Sequence, residues 1–316
     1  MENQANLSSP VGWTDAQWSR VYQTVSEEAN KASVAGAFLP CFGPLARSAD
    51  VVRFEELREE DQLLTVSDDN PIKLWTLAVH VELKQQQLAD ENLSAALAVF
   101  RRAANLLART EDTIVFNGLS NTDDAEKRLA DIPPQCRVSG GENTIGLVQR
   151  GKEREKISVG YISHTRQIEP YSKTELVSPT DQYYGQAIVK AVSQAIMKLD
   201  KAGRLGPYAC VLGNLAFVQA HTPETNSLVL PRDSIEPLLD GPVLRSGALD
   251  EYDGIVISLA GDPIDLVLAT APTAQFLQVT EEARYRFRIY ERFALRVKQS
   301  NTISAFTLSE FTPPAS

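Results

Sequence analysis

Cysteine and histidine are both scarce, with three of each among the 316 residues. Cys41, Cys136 and Cys210 are far apart, odd in number and form no CxxC pair, which excludes a disulfide framework and a thiolate zinc site and suits a reducing compartment. Cys41, held between Pro40 and Phe42 with no base nearby, reads as a packing thiol. His80, His164 and His221 fall in separate segments, and no Glu-x-x-His or HExxH spacing occurs, so neither a metal centre nor a catalytic base can be assembled from them. A phosphate loop, GxGxxG and GxSxG are also missing, and no metal or cofactor is expected. No run approaches the roughly 20 apolar residues of a membrane span, and residues 1–12 lack the basic start and apolar centre of a signal peptide. The 31 lysines and arginines are outnumbered by 41 acids, a net charge of −10, which leaves no basic excess of the kind that neutralises nucleic-acid phosphates. The absences together describe a soluble cytoplasmic protein with no catalytic constellation and no affinity for membrane or nucleic acid.

What the chain does have is apolar content, 43%, enough for one large folded unit or two joined ones. The clearest periodicity is late, at Arg284–Val297. Tyr285, Phe287, Ile289, Phe293, Leu295 and Val297 alternate with Arg284, Arg286, Arg288, Arg292 and Arg296, so one face of a long strand meets a core and the other meets water or a partner. Glu291 alone interrupts the apolar face and is expected to answer an arginine or a backbone donor.

Near the start, Thr14 and Gln17 form a capping box, and Trp13 can staple onto Trp18. The helix that follows carries Trp18, Val21, Val25, Ala29 and Ala32 at steps of three and four, a narrow stripe that docks on one surface. Pro40, Gly43 and Pro44 then impose an extended connection. Residues 51–83 read as two strand-prone arms around the turn cluster of residues 67–71, with Trp75, Leu77, Val79, Val81 and Leu83 on one face of the return arm. A lone hairpin is marginal in water, so the arm needs a neighbour to lie on. A spine helix runs over residues 93–116 and stops at Asn117 and Gly118. Another helix covers residues 183–201, followed by a strand at 208–212 and a short helix at 215–220. Residues 120–180 show no helical period and are too many for a bare loop, so added strands or a projecting insertion are expected.

Six segments resemble one known family in order along the chain: residues 14–18 with the helix after them, 38–44, Thr110-Glu111-Asp112 through Phe116-Asn117-Gly118, residues 206–213, residues 261–268, and Tyr290-Glu291-Arg292-Phe293. The chain is similar to the encapsulins, the linocin-like nanocompartment shells that share the tailed-phage major-capsid fold. The resemblance implies an α+β, phage major-capsid-like fold with a peripheral domain, an axial domain, an extended β-hairpin arm and an N-terminal helix. It divides the chain into an N-terminal luminal helix and connection (1–44), the arm (45–84), the spine helix of the peripheral domain (85–118), the axial domain (119–245, with the insertion 120–180) and the C-terminal strands of the peripheral domain (246–316). The insertion has no full counterpart in shorter members.

The implied function is containment: about sixty copies of the chain, or a multiple, close into an icosahedral shell around a cargo enzyme. In similar proteins a terminal targeting peptide of the cargo lies in a luminal groove, and the matching positions are Gly36, Phe38, Pro40, Ala271, Pro272 and Ala274. None is charged, which implies a hydrophobic tail or no cargo of the usual kind; alternatively Phe38 and Pro40 are simple core and turn residues. The family's fivefold pore loop would correspond to residues 221–227, with His221, Glu224, Thr225 and Asn226. One carboxylate per subunit either forms a cation-favouring ring or merely solvates the loop. Flavin, bound near an aromatic residue in some members, is not expected, because residues 84–92 contain none. Removing residues 1–35 is expected to leave shell formation partly intact and to abolish cargo retention. The alternatives are a phage major capsid protein enclosing DNA, and an enzyme of protease or bacteriocin type, for which no nucleophile, base and orienting residue can be assembled.

Overall fold

A computed structural model describes residues 11–46, 48–53, 55–60, 63–67, 71–119, 132–142, 144–151, 184–223 and 229–308. In chain order these form α1 (Asp15–Ala32), a 3-10 turn (Ala35–Ala37), β1 (Cys41–Phe42), β2 (Val51–Val52), β3 (Glu56–Glu60), β4 (Leu63–Ser67), β5 (Ile72–Lys73) and β6 (Trp75–Lys84). Next come α2 (Gln85–Leu88), α3 (Ser94–Asn117), β7 (Gly118–Leu119), β8 (Cys136–Gly140) and β9 (Thr144–Ile145). The remainder is α4 (Tyr184–Lys201), β10 (Tyr208–Leu212), α5 (Asn214–Ala220), α6 (Pro231–Leu239), β11 (Val243–Arg245), β12 (Asp253–Ser258), β13 (Ile264–Val279), β14 (Arg284–Val297) and β15 (Ile303–Thr307).

The start of α1 follows from its sequence signals. Gln17 N–H donates to the Thr14 hydroxyl at 3.2 Å while Thr14 N–H donates to the Gln17 side chain at 2.9 Å. Trp13 and Trp18 meet edge to face with centroids 5.0 Å apart. At the far end of α3, Gly118 adopts φ +73, and a side chain there would collide with the Thr144 carbonyl, which is why the helix stops at a glycine.

Two sheets carry the rest. The larger has strand order β1-β13-β14-β6-β8, and the smaller β11-β10-β12-β15. β14 lies between β13 and β6, antiparallel to both, so its apolar alternation faces one continuous core. That face packs on α1 and α3, with Phe287 and Phe293 fully buried. The smaller sheet is covered on both sides: Val211, Ile255 and Ile257 join the main core, while Tyr208, Cys210, Leu212 and Val256 pack with α4, α5 and α6. Burial on both faces explains why every residue of β12 is apolar, small or hydrogen-bonded.

Two sequence expectations change. The strand Trp75–Lys84, read as the return arm of the hairpin, is an inner strand of the large sheet, pairing with β14 and β8. Its alternation is satisfied by its own chain, and the hairpin is made by β2 with β5 at its base and β3 with β4 beyond them, the latter two pairing, among the described residues, with nothing else. Glu291, expected to answer an arginine or a backbone donor, has neither among the described residues. The arginines on β14 point to the opposite face, where Arg286 binds Glu82, Arg288 binds Gln275, Arg292 binds Asp50 and Arg296 binds Asp265. A period of two forbids the odd and even positions of one strand from meeting. Of the insertion expected over residues 120–180, residues 132–142 and 144–151 are described and supply β8 and β9, added strands of the kind expected, and the other residues lie outside the described ones.

Candidate cargo cleft and the residues around it

The connection after α1 is fixed from below by α3. The carboxylate of Asp112 accepts from Val34 N–H at 2.9 Å and from Ala35 N–H at 2.9 Å, capping the 3-10 turn that follows. One turn further along α3, Phe116 stacks against Phe38 with centroids 6.4 Å apart. The chain then leaves through Pro40, whose carbonyl accepts from Leu266 N–H at 3.0 Å, and β1 pairs parallel with β13.

Phe38 and Pro40 line a cleft of about 330 Å³ whose opposite wall is Ile257–Leu259 and Asp262–Ile264. Phe38 is half-buried and Pro40 exposed, so an apolar floor faces an open mouth. Asp262 sits in that wall with positive φ, and Lys298 Nζ donates to its backbone carbonyl at 2.9 Å. Positions 271–274, expected to form this wall, carry no charge; the charge comes from Asp262 in the turn before β13.

The other expected groove residues do not gather in this cleft. Gly36 is exposed, and its N–H donates to the Ser33 hydroxyl at 2.9 Å. Ala271 is exposed and Pro272 half-buried, but both lie roughly 25 Å along β13 from Ile264 at strand rise. Ala274 is 5% exposed and belongs to the main core, so it offers no surface to a ligand.

His221, expected at a pore, ends α5 as a tie between two helices. One ring nitrogen, Nδ1, lies 2.8 Å from the Phe217 carbonyl, and the other, Nε2, lies 3.0 Å from Arg232 on α6. A neutral ring donating from Nδ1 and accepting at Nε2 satisfies both contacts. Glu224, Thr225 and Asn226 lie outside the described residues.

The structure also assembles a group that the sequence analysis left apart: Glu111 and Asp112 of α3 and Glu291 of β14, all buried. Burial drives all three carboxyls upward, Asp112 to about 7, with the neighbouring acids adding to the effect on Glu111 and Glu291. A signal was available, since adjacent acids inside an otherwise apolar helix and one acid on an apolar strand face each need a partner. Among the described residues no three His, Cys, Asp or Glu side chains converge as metal ligands. Cys41 is exposed and its thiol is raised by partial burial and by Glu111 and Asp265, which makes it a poor nucleophile. Cys136 and Cys210 are buried and free, and burial pushes the Cys210 thiol up to about 12.

Comparison with known proteins bears on the family and the fold. The Linocin_M18 family, described as encapsulating protein for peroxidase, matches residues 1–124 and 157–294. The type 1 encapsulin shell protein EncA of Myxococcus xanthus is 23% identical over 304 residues, covering 92% of this chain and 91% of the relative. Among solved structures, the virus-like particle of Pyrococcus furiosus superposes with a TM-score of 0.57 at 16% identity, over 92% of this chain and 99% of the other. A chain from Mycobacterium phage Adephagia gives 0.53 at 12% identity, with full coverage of both. The fold is therefore shared with the virus-like particle and the phage chain, and no described helix is long and apolar enough to cross a membrane. With the match extending over most of its length, the chain belongs to the Linocin_M18 family of encapsulin shell proteins.

Proposed function

We propose that copies of this chain close into a hollow shell in the cytoplasm that encloses a cargo protein and performs no catalysis itself. The observation that carries this reading, beside the family, is the β3–β4 hairpin. It pairs only with itself among the described residues, yet exposes Leu63 at 71%, Leu64 at 74% and Val66 at 62%. A two-stranded ribbon with three bare aliphatic side chains is not stable alone in water, and a second copy of the chain supplies the surface it lacks. Repeating one such contact around symmetry axes closes a shell of about sixty copies or a multiple.

Cargo would be held by a terminal peptide in the Phe38 cleft, with Phe38 and Pro40 taking apolar side chains against the Ile257–Leu259 and Asp262–Ile264 wall. Solutes would pass pores bordered by the loop of residues 221–227, where Glu224, Thr225 and Asn226 would set selectivity. A phage capsid holding DNA shares the fold but sits poorly with a net charge of −10.

Electron microscopy of the purified protein, with mass spectrometry of whatever co-purifies, tests the proposal. Uniform round particles that retain a companion protein in the native chain and lose it in Phe38→Ala are the expected result. Small oligomers in every buffer would refute the shell, and intact particles that keep their cargo in Phe38→Ala would refute the cleft alone.

A further inference from the structure

Glu291 projects from the core-facing side of β14, opposite Leu77 of β6, and is wholly buried. Neither of its carboxyl oxygens has a hydrogen-bond donor among the described residues. Its neighbour is the carboxyl of Glu111, and Asp112 stands beside that. The donors that reach the group go to the other two acids: Val34 and Ala35 N–H to Asp112, and the Ser33 hydroxyl to Glu111 at 3.4 Å. Facing the acids from the surrounding elements are Thr110 on α3, Cys136 on β8 and Cys41 on β1, while Arg109 and Asp250 line a surface cleft beside Asp112. No cation forms an ion pair with any of the three acids among the described residues.

Ionised carboxylates only accept, so two of them side by side repel and neither can satisfy the other. In a buried site the cost of both charges is large, and one proton removes it by turning the pair into an acid donating to a carboxylate. The missing donor of Glu291 is then the proton itself.

We propose that Glu111 and Glu291 share a proton in the native chain, and that this proton latches the end of α1 and the Phe38 wall of the cleft onto α3. The mechanical link is short. Asp112 and Glu111 hold Val34, Ala35 and Ser33, Ser33 receives Gly36 N–H, and Phe38 rests on Phe116. β14 is fixed by ladders on both sides, whereas residues 33–38 are held to α3 by side-chain contacts, so water reaches the charged pair where the latter lift away. The sign follows from linkage. A carboxyl raised in the fold contributes in full below the ordinary carboxylate range, and that contribution is lost as pH rises through its raised value. The native state thus holds a proton that the opened state releases, and opening becomes about tenfold easier per pH unit for one proton. The inference rests on the subunit alone, so failure to form shells would leave it standing.

Hydrogen exchange of the purified protein in its native assembly, from about pH 6 to about pH 10 and corrected for the intrinsic rate, tests it. Protection of residues 29–42 should fall about tenfold per pH unit from the low end of the range and level off once pH exceeds the raised value of the pair, while β10 and β12 hold theirs. Glu291→Gln, whose amide is a permanent donor to Glu111, should flatten that dependence, and Glu111→Gln should do the same if the first variant does not fold. An equal fall in wild type and variant, or no fall in wild type, overturns the proposal. If neither variant folds, the wild-type pattern decides: loss confined to residues 29–42 supports the latch, and uniform loss across the chain overturns it.

Discussion

Arg296 and Asp265 face each other across β14 and β13 in a two-point ion pair, with Nε 2.8 Å from one carboxylate oxygen and Nη2 2.6 Å from the other. Lys298 reaches the same carboxylate at 2.9 Å, and the Asp265 side chain is buried. The arginine also covers the Phe42 ring, its guanidinium carbon 4.8 Å from the centroid, so the pair ties β1 to β13 and β14.

Replacing Asp265 by Ala leaves two cations beside each other without their shared acid. A loss of about 2–3 kcal/mol is expected, below the range for fully buried pairs because Arg296 keeps some access to water. Differential scanning calorimetry should show a melting temperature lower by several degrees, with a smaller fall for Arg296→Lys, which keeps the charge but not the fork.

Trp13 is the second test. Its ring stacks on Phe287 at 5.3 Å, meets Phe100 edge to face at 6.2 Å, and its indole N–H donates to the Leu88 carbonyl at 3.1 Å. Trp13→Ala should cost about 3–5 kcal/mol, and Trp13→Phe about 1–2 kcal/mol for the carbonyl left unpaired. Denaturant unfolding followed by circular dichroism separates the two.

Substituting Ser at Leu63, Leu64 and Val66 together should leave the subunit fold within about 0.5 kcal/mol per site, since all three are bare in the chain by itself. Particle formation by light scattering should fail. Normal particles would mean that the hairpin is not a contact between copies.

Removing residues 1–35 is expected to unfold the subunit, in contrast to the partial assembly anticipated from sequence. Val21, Val25 and Ala35 are fully buried in the main core, and Trp13 packs on β14. The truncated protein should be recovered as aggregate, and soluble particles would show that α1 is dispensable to the core.

The elements of the fold were largely legible. Thr14, Gln17 and Trp13 announced α1 through chemistry confined to a few neighbours, and the arginine alternation gave β14 its residues Arg284–Val297. The candidate site was legible only in part. Phe38 and Pro40 do line a cleft, but its far wall, Ile257–Leu259 and Asp262–Ile264, comes from strands whose sequence carries no mark of what they face. Ala274 shows the same limit in reverse, because a small apolar residue suits a groove and a core equally well.

Sequence determined which segments alternate with period two, which with the helical period, and where helices start and stop, because those properties depend on neighbours along the chain. Partners across the fold were decided by tertiary structure alone. That Trp75–Lys84 joins the sheet and leaves the hairpin bare, and that Glu291 turns from its strand's arginines to Glu111, follow from which face is covered once the sheet packs on α3. Periodicity sets two faces apart, and only packing chooses what each one meets.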